Sequence, residues 1–366
     1  MAVLDSGGNP YLDIWLSEGV ELPAAAHEVV LSSEGSVRQR FDADRPIWDA
    51  MEFHKLYHFS GTRLLAISFA QLDAPINYDG ARHGAATTYL AAREAPSAII
   101  VSVQVDPAYC IRERGCLINA SAAEGMEWIA DQPWIDIVSV SMGFPVPNHP
   151  DLHPEYVRYL AASERAARDG KLIVNSAGNS VVSEMAGYFS GPPWVVAVGG
   201  AESRASGESL LAAKGVDVVA NFTDLAPKVL SEDLEYRSGT SFATPIVAGT
   251  LAHALHLVRE ADPQRVVTPQ ELRDALNASA TYFDTTSWRP TWSDQDPLAP
   301  LFEASLPVLV QPQMGWGYVD GGLAPEIARR VLENDLAPPP EKAQAMLFQA
   351  QWQKAREEYW KSWPRR

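Results

Sequence analysis

The sequence predicts an α/β fold, a three-layer sandwich with a central, mostly parallel sheet. Three observations predict it. Short, uninterrupted runs rich in Val and Ile recur through the middle of the chain, as in strands buried on both faces. Stretches with helical spacing separate those runs. Strand–helix–strand repetition implies right-handed crossovers, which put helices on both faces of one sheet.

In chain order, Met1-Ala2-Val3-Leu4 is an apolar strand that ends at the turn Asp5-Ser6-Gly7. Residues 8–62 carry few long apolar runs and many turn formers, and read as a mostly irregular insertion. Strand runs follow at 63–70, 99–105, 136–142, 171–176 and 195–199. A helix opens at 83–92, and a shorter one covers 121–131. Residues 151–169 place Val157, Leu160, Ala161 and Ala167 on one stripe, with Gly170 as C-cap. Thr268-Pro269-Gln270-Glu271 is a capping box with Pro at the first helical position, opening a helix to Asn277. This gives one α/β domain over 1–336 and a tail over 337–366.

The chain has 366 residues, 46% of them hydrophobic and 20% charged, enough to bury a real core. A disordered, collagen-like or disulfide-scaffold chain is excluded. The net charge of −17 argues against nucleic acid as a partner. No apolar run reaches 18 residues, so no transmembrane segment is expected. Cys110 and Cys116 either close one small loop or stay free thiols.

The tail follows Pro338-Pro339-Pro340. Residues 341–366 hold six Lys or Arg against three Glu, with Met346, Leu347, Phe348, Trp352, Tyr359, Trp360 and Trp363 among them. Two readings stand: a helix docked on the main domain, or a helix that contacts a partner or a membrane surface.

The strongest chemical signal is Ser238-Gly239-Thr240-Ser241-Phe242-Ala243-Thr244-Pro245, a small Gly-containing turn leading into the apolar run 246–252. A serine at a helix N-terminus sits at the positive end of the dipole beside free backbone N–H groups. Its hydroxyl can attack a carbonyl while those groups meet the developing oxyanion. Asn179 ends Asn175-Ser176-Ala177-Gly178-Asn179 after a buried strand, where its carboxamide can aim a donor into a crevice. His83-Gly84 opens a helix, and histidine is the natural general base near neutral pH. Asp5, at the end of a strand, can orient an imidazole through Nδ1–H. His54 and His58 have the i, i+4 spacing of a metal pair but lack a third ligand; His253 and His256 read as packing or surface residues.

Together these pieces resemble the subtilisin-like serine peptidases, the subtilases (family S8), in a subgroup with a long insertion between Asp and His. The chain order Asp5…His83…Ser241 is that of the group. Asp5-Ser6-Gly7 matches the Asp-Ser/Thr-Gly motif, and Ala177-Gly178-Asn179 the oxyanion motif. Gly239 to Pro245 matches Gly-Thr-Ser-x-Ala-x-Pro in full. His83-Gly84-Ala85 departs from His-Gly-Thr at its last residue. Val138-Ser139-Val140-Ser141-Met142-Gly143 resembles the strand that pairs with substrate, which implies substrate binding at Ser141, Met142 and Gly143. Residues 194–200, 220–223 and 315–320 resemble further core segments and the segment that closes the domain.

The resemblance implies a serine endopeptidase that hydrolyses polypeptide substrates through an acyl-enzyme, with Asp5, His83 and Ser241 as triad and Asn179 as oxyanion donor. Asp73 and Asp79 are rival acids, Asp73 the more serious. The mechanism needs no metal, and structural calcium is implied by the family alone. No signal peptide or propeptide precedes Asp5, so the expected location is cytoplasmic if the chain is complete and secreted if it is truncated. With Asp and His 83 − 5 = 78 positions apart, the alternative is a pseudo-peptidase that only binds peptides.

Overall fold

The computed structural model describes residues 1–17, 21–22, 26–70, 77–78, 83–105, 109–111, 115–117, 120–142, 154–179, 190–203, 209–211, 215–281 and 314–362. Its strands are β1 (Ala2–Asp5), β2 (His27–Val29), β3 (Tyr57–Phe59), β4 (Leu64–Ser68), β5 (Ile100–Gln104), β6 (Tyr109–Ile111), β7 (Gly115–Leu117), β8 (Ile137–Val140), β9 (Leu172–Ser176), β10 (Val195–Ser203), β11 (Ser209–Leu211), β12 (Val218–Asn221), β13 (Thr223–Pro227) and β14 (Leu234–Ser238). The main sheet runs β11-β10-β9-β8-β1-β5-β4-β3-β2, with β12 also paired to β10. Within it β3–β4 and β10–β11 are antiparallel, and every other pairing among the described residues is parallel. The first strand of the chain therefore lies mid-sheet, between β5 and β8, with Asp5 at its carboxyl end.

The helices are α1 (Val37–Ala43), α2 (Arg45–Asp49), α3 (Gly84–Glu94), α4 (Ala120–Ala130), α5 (Pro154–Arg168), α6 (Thr240–Ala261), α7 (Pro269–Ser279), α8 (Ala324–Glu333) and α9 (Ala343–Ser362). They cover both faces of the sheet because strand side chains alternate. Val3, Leu64, Ile100, Val174 and Val196 join residues of α3, α6, α7 and α8 in one buried cluster. Ala2, Leu4, Leu65, Val101, Val138 and Ile173 point the other way and pack with α4 and α5. This is the three-layer sandwich expected from the Val/Ile runs.

The structure departs from the expected elements in several places. Segment 8–62 holds two short helices, a 3-10 turn and strands β2 and β3. Trp15, Trp48 and Phe59 are buried there, so aromatic packing substitutes for long apolar runs. On α5 the buried stripe is Tyr156, Tyr159, Leu160, Ala162, Ser163 and Ala166; Ala161 is exposed. The tyrosines carry more apolar area than the alanines chosen from the pattern, and they set the inward face. Helix α6 is long and apolar enough to cross a membrane, but it is the buried core helix under the sheet. Cys110 and Cys116 sit opposite each other in the β6–β7 hairpin register.

The tail packs on the main domain. Trp352, Arg356 and Trp360 of α9 are buried. The Arg356 guanidinium donates to the carbonyls of Ser190, Gly191, Pro192 and Val195 and to the Asp217 carboxylate. A Cβ at Gly215 would lie 2.4 Å from the Trp352 ring, so that seat accepts no side chain. Lys342, just before α9, caps the end of α7 by donating to the carbonyls of Asn277 and Ala278.

Candidate active site

In open α/β sheets, ligands gather at the carboxyl ends of the strands. Here the ends of β1, β8 and β9 deliver Asp5, Ser141 and, one short turn on, Asn179. The Asp5 carboxylate is 3% exposed and has four groups around it. The Ser6 backbone N–H donates to Oδ1 at 2.8 Å and Ser6 Oγ to the same oxygen at 3.3 Å, and Thr87 Oγ1 donates to Oδ2 at 3.1 Å. His83 Nδ1 lies 2.9 Å from Oδ1 and 3.0 Å from Oδ2. An ionised carboxylate only accepts, so Nδ1 carries the hydrogen and Nε2 is the basic nitrogen.

The Asp-Ser-Gly turn and the His-Gly pair fit together by contact. Gly84 N–H, at the start of α3, donates to Ser6 Oγ at 2.9 Å. A Cβ on Gly84 would lie 2.3 Å from the Gly7 carbonyl oxygen and 2.7 Å from its nitrogen. Only glycine allows α3 to meet that turn so closely. Ala85 is buried where the family motif has threonine. Thr87, one helical turn beyond His83, brings a hydroxyl to the carboxylate.

Ser241 is the second residue of α6 and half-buried. Pro245 sits four residues on and has no N–H, so the Ser241 carbonyl lacks its usual intrahelical donor. Ser141 Oγ fills the gap, donating to that carbonyl at 2.7 Å. In return Ser241 Oγ donates to the Ser141 carbonyl at 3.2 Å. The proline of the serine motif thus opens a place for a side chain from the neighbouring strand end. The imidazole of His83 lies with its centroid 5.4 Å from the ring of Phe242, the residue after Ser241.

Asn179 is exposed and oriented through Thr240. Its Oδ1 accepts from Thr240 N–H at 2.8 Å and from Thr240 Oγ1 at 2.9 Å. Both groups are donors, which fixes the carboxamide oxygen there and leaves Nδ2 as the outward end. Gly239, at φ 148°, passes close by; a Cβ on it would stand 3.3 Å from Nδ2.

Of the residues implied to bind substrate, Ser141 is engaged with Ser241. Met142 is half-buried, and its carbonyl accepts from Asn175 Nδ2 at 2.8 Å. Gly143, Asp73 and Asp79 lie outside the described residues. His54 stacks on Phe69 and His58 bonds the Thr62 carbonyl, so this pair does not converge. Sequence reasoning missed Ser6, Thr87, Thr240 and Asn175. The available signal was a hydroxyl next to the motif residue for Ser6 and Thr240, and for Thr87 the i, i+4 spacing from His83 on one helix face; Asn175 carried no local signal.

The model of the Subtilase family, peptidase S8, matches residues 76–316. The chain belongs to the subtilase family. By family it is a serine peptidase. The matched span includes His83, Asn179 and Ser241 but starts after Asp5, which reaches His83 through the sheet rather than through the matched segment. No curated protein matches this subtilase. A solved structure titled as the prenylagaramide maturation protease PagA is similar to it, with 19% identity over 90% of this chain and 94% of that one and a TM-score of 0.48.

Proposed function

We propose that this subtilase is an active serine endopeptidase with Ser241 as nucleophile, His83 as general base and acid, and Asp5 as the carboxylate that orients the imidazole. The contact between the buried Asp5 carboxylate and His83 Nδ1 carries this reading, because it leaves Nε2 as the basic nitrogen. The Ser241 hydroxyl turns from the Ser141 carbonyl toward Nε2 as substrate enters. Oγ attacks the scissile carbonyl carbon, and its proton passes to Nε2.

The tetrahedral oxyanion is held by Asn179 Nδ2–H and by the Ser241 backbone N–H, one of the orphan donors at the start of α6. As the C–N bond breaks, the leaving amine takes the proton from His83. Water then enters, gives a proton to His83 and hydrolyses the acyl-Ser241 ester. Substrate backbone runs antiparallel along Ser141–Met142–Gly143.

The test is incubation of the folded protein with a fluorophosphonate, followed by peptide mapping, alongside hydrolysis of an unfolded polypeptide. Stoichiometric modification at Ser241 together with hydrolysis supports the proposal. Folded protein that neither labels nor hydrolyses would show a peptide-binding relative that has lost its chemistry.

A further inference from the structure

The β13–β14 hairpin is built inside out. Its register sets Leu225 opposite Tyr236, Asp224 opposite Arg237 and Pro227 opposite Leu234. Because strand side chains alternate, Leu225, Leu234 and Tyr236 share one face. At these three positions the face looks to solvent, with Leu225 37% exposed, Leu234 41% and Tyr236 75%, while Pro227 on the same face is buried. The charged residues occupy the other face, where Asp224 pairs with Arg93 of α3 at 2.8 Å and Arg237 pairs with Glu235. An ordinary half-buried strand pair shows the reverse pattern.

The inner face cannot turn over to bury the apolar residues. Ala226 packs with Ala86 and Leu90 of α3 and with Phe242, the residue after Ser241. The Arg93–Asp224 pair adds a bidentate tie to the helix that carries His83. The hairpin is therefore clamped to both elements of the proposed reaction centre. Strand β14 also runs through Ser238 and Gly239 directly into Thr240 and Ser241. Tyr236 and Ser241 are five positions apart, at most about 18 Å of chain.

We propose that Leu225, Leu234 and Tyr236 form an exosite for an apolar stretch of the polypeptide substrate, outside the residues that react. The inference rests on the proposed hydrolysis at Ser241 and names the substrate class for it: long chains with an apolar segment, preferred over short peptides. The occupant follows from continuity. The other face of the hairpin is pinned to the helix of His83 and its second strand leads by backbone into the nucleophile, so a chain long enough to extend past Ser241 meets this surface too. The face carries no charge in a chain of net charge −17, so the bound segment is selected by apolar area rather than by charge.

The test uses the full chain with Leu225→Ser and Tyr236→Ser combined, and Tyr236→Phe as the conservative variant. Three rates are read: hydrolysis of a reduced, unfolded casein, hydrolysis of a short peptide amide, and fluorophosphonate labelling. The double variant is expected to lose about tenfold in kcat/KM on casein, mainly through KM, with the other two rates unchanged. Tyr236→Phe keeps wild-type values. Binding of casein to the Ser241→Ala protein should weaken about tenfold when the double substitution is added, which tests the exosite even in a chain without catalysis. Equal losses on casein and the short amide, or unchanged casein binding, would overturn the proposal. A wild-type dimer made monomeric by the double substitution, with casein kinetics unchanged, would overturn it in favour of a second copy as occupant.

Discussion

Two aspartates in this molecule are equally buried, at 3% exposure, and they serve opposite ends. Asp217 accepts from Ala197 N–H, from Arg356 and from Arg273, with distances of 2.8 to 3.1 Å. Burial would push its carboxyl up, but the guanidiniums of Arg356 and Arg273 outweigh burial and hold it below the usual carboxylate range. Both partners are permanently charged, so the arrangement has a single state. Asp5 instead faces His83, whose side chain is 36% exposed and can gain or lose a proton. The difference teaches that a buried carboxylate takes its role from its partner. Arginine makes it a rivet for the tail, while an imidazole open on one side fits it for the proposed part in proton transfer.

The largest break in that comparison is Asp5→Asn. Loss of the charge that orients and supports the imidazole should lower kcat about 10⁴-fold while the melting temperature changes little, as steady-state kinetics and a thermal melt will show. Arg356→Ala should do the converse. Leaving Asp217 half-paired and removing the guanidinium from four carbonyls should cost about 3–5 kcal/mol in denaturant unfolding, with kcat of the folded fraction retained. Asn179→Ala should lower kcat about 10²- to 10³-fold with KM little changed, if its donor holds the oxyanion as proposed.

The pH dependence sharpens the contrast. A carboxyl depressed in the folded state stabilises it above the unfolded value, near pH 4, and that stabilisation is lost as pH falls through the lower native value. Wild type should therefore lose melting temperature steeply below about pH 4. Asp217→Asn should start less stable and show a shallower loss there. The smallest effect is expected for Thr87→Val, a fewfold loss of kcat read in steady-state kinetics, because one donor to the Asp5 carboxylate is gone while Ser6 N–H and His83 Nδ1 still hold it.

How much of this was legible in the sequence follows from distance along the chain. Val/Ile runs report their own burial, so the central strands and the α7 capping box could be read locally. Helix α5 was found while its buried face was misjudged, because tyrosines that bury their rings look polar in a hydrophobic pattern. The buried aromatics Trp15, Trp48 and Phe59 were hidden for another reason: they lie far apart in the sequence, so no apolar run announces them. The serine motif was legible as a string, but the reason for its proline was not. That reason lies in Ser141, a hundred residues earlier. Arg356 looked like one basic residue in a basic tail, and nothing nearby showed that four carbonyls and Asp217 await it. Thr87 was visible only as a helix residue until β1 was placed mid-sheet beneath it.

The most direct test of the central claim is the second-order rate of Ser241 modification by a fluorophosphonate between pH 5 and 8, in wild type and in Asp5→Asn. The account predicts a wild-type rate that climbs with pH through the range in which an imidazole gives up its proton, and a rate lower by orders of magnitude in the variant. A wild-type rate that is flat across that range, or equal rates in the two proteins, would contradict it.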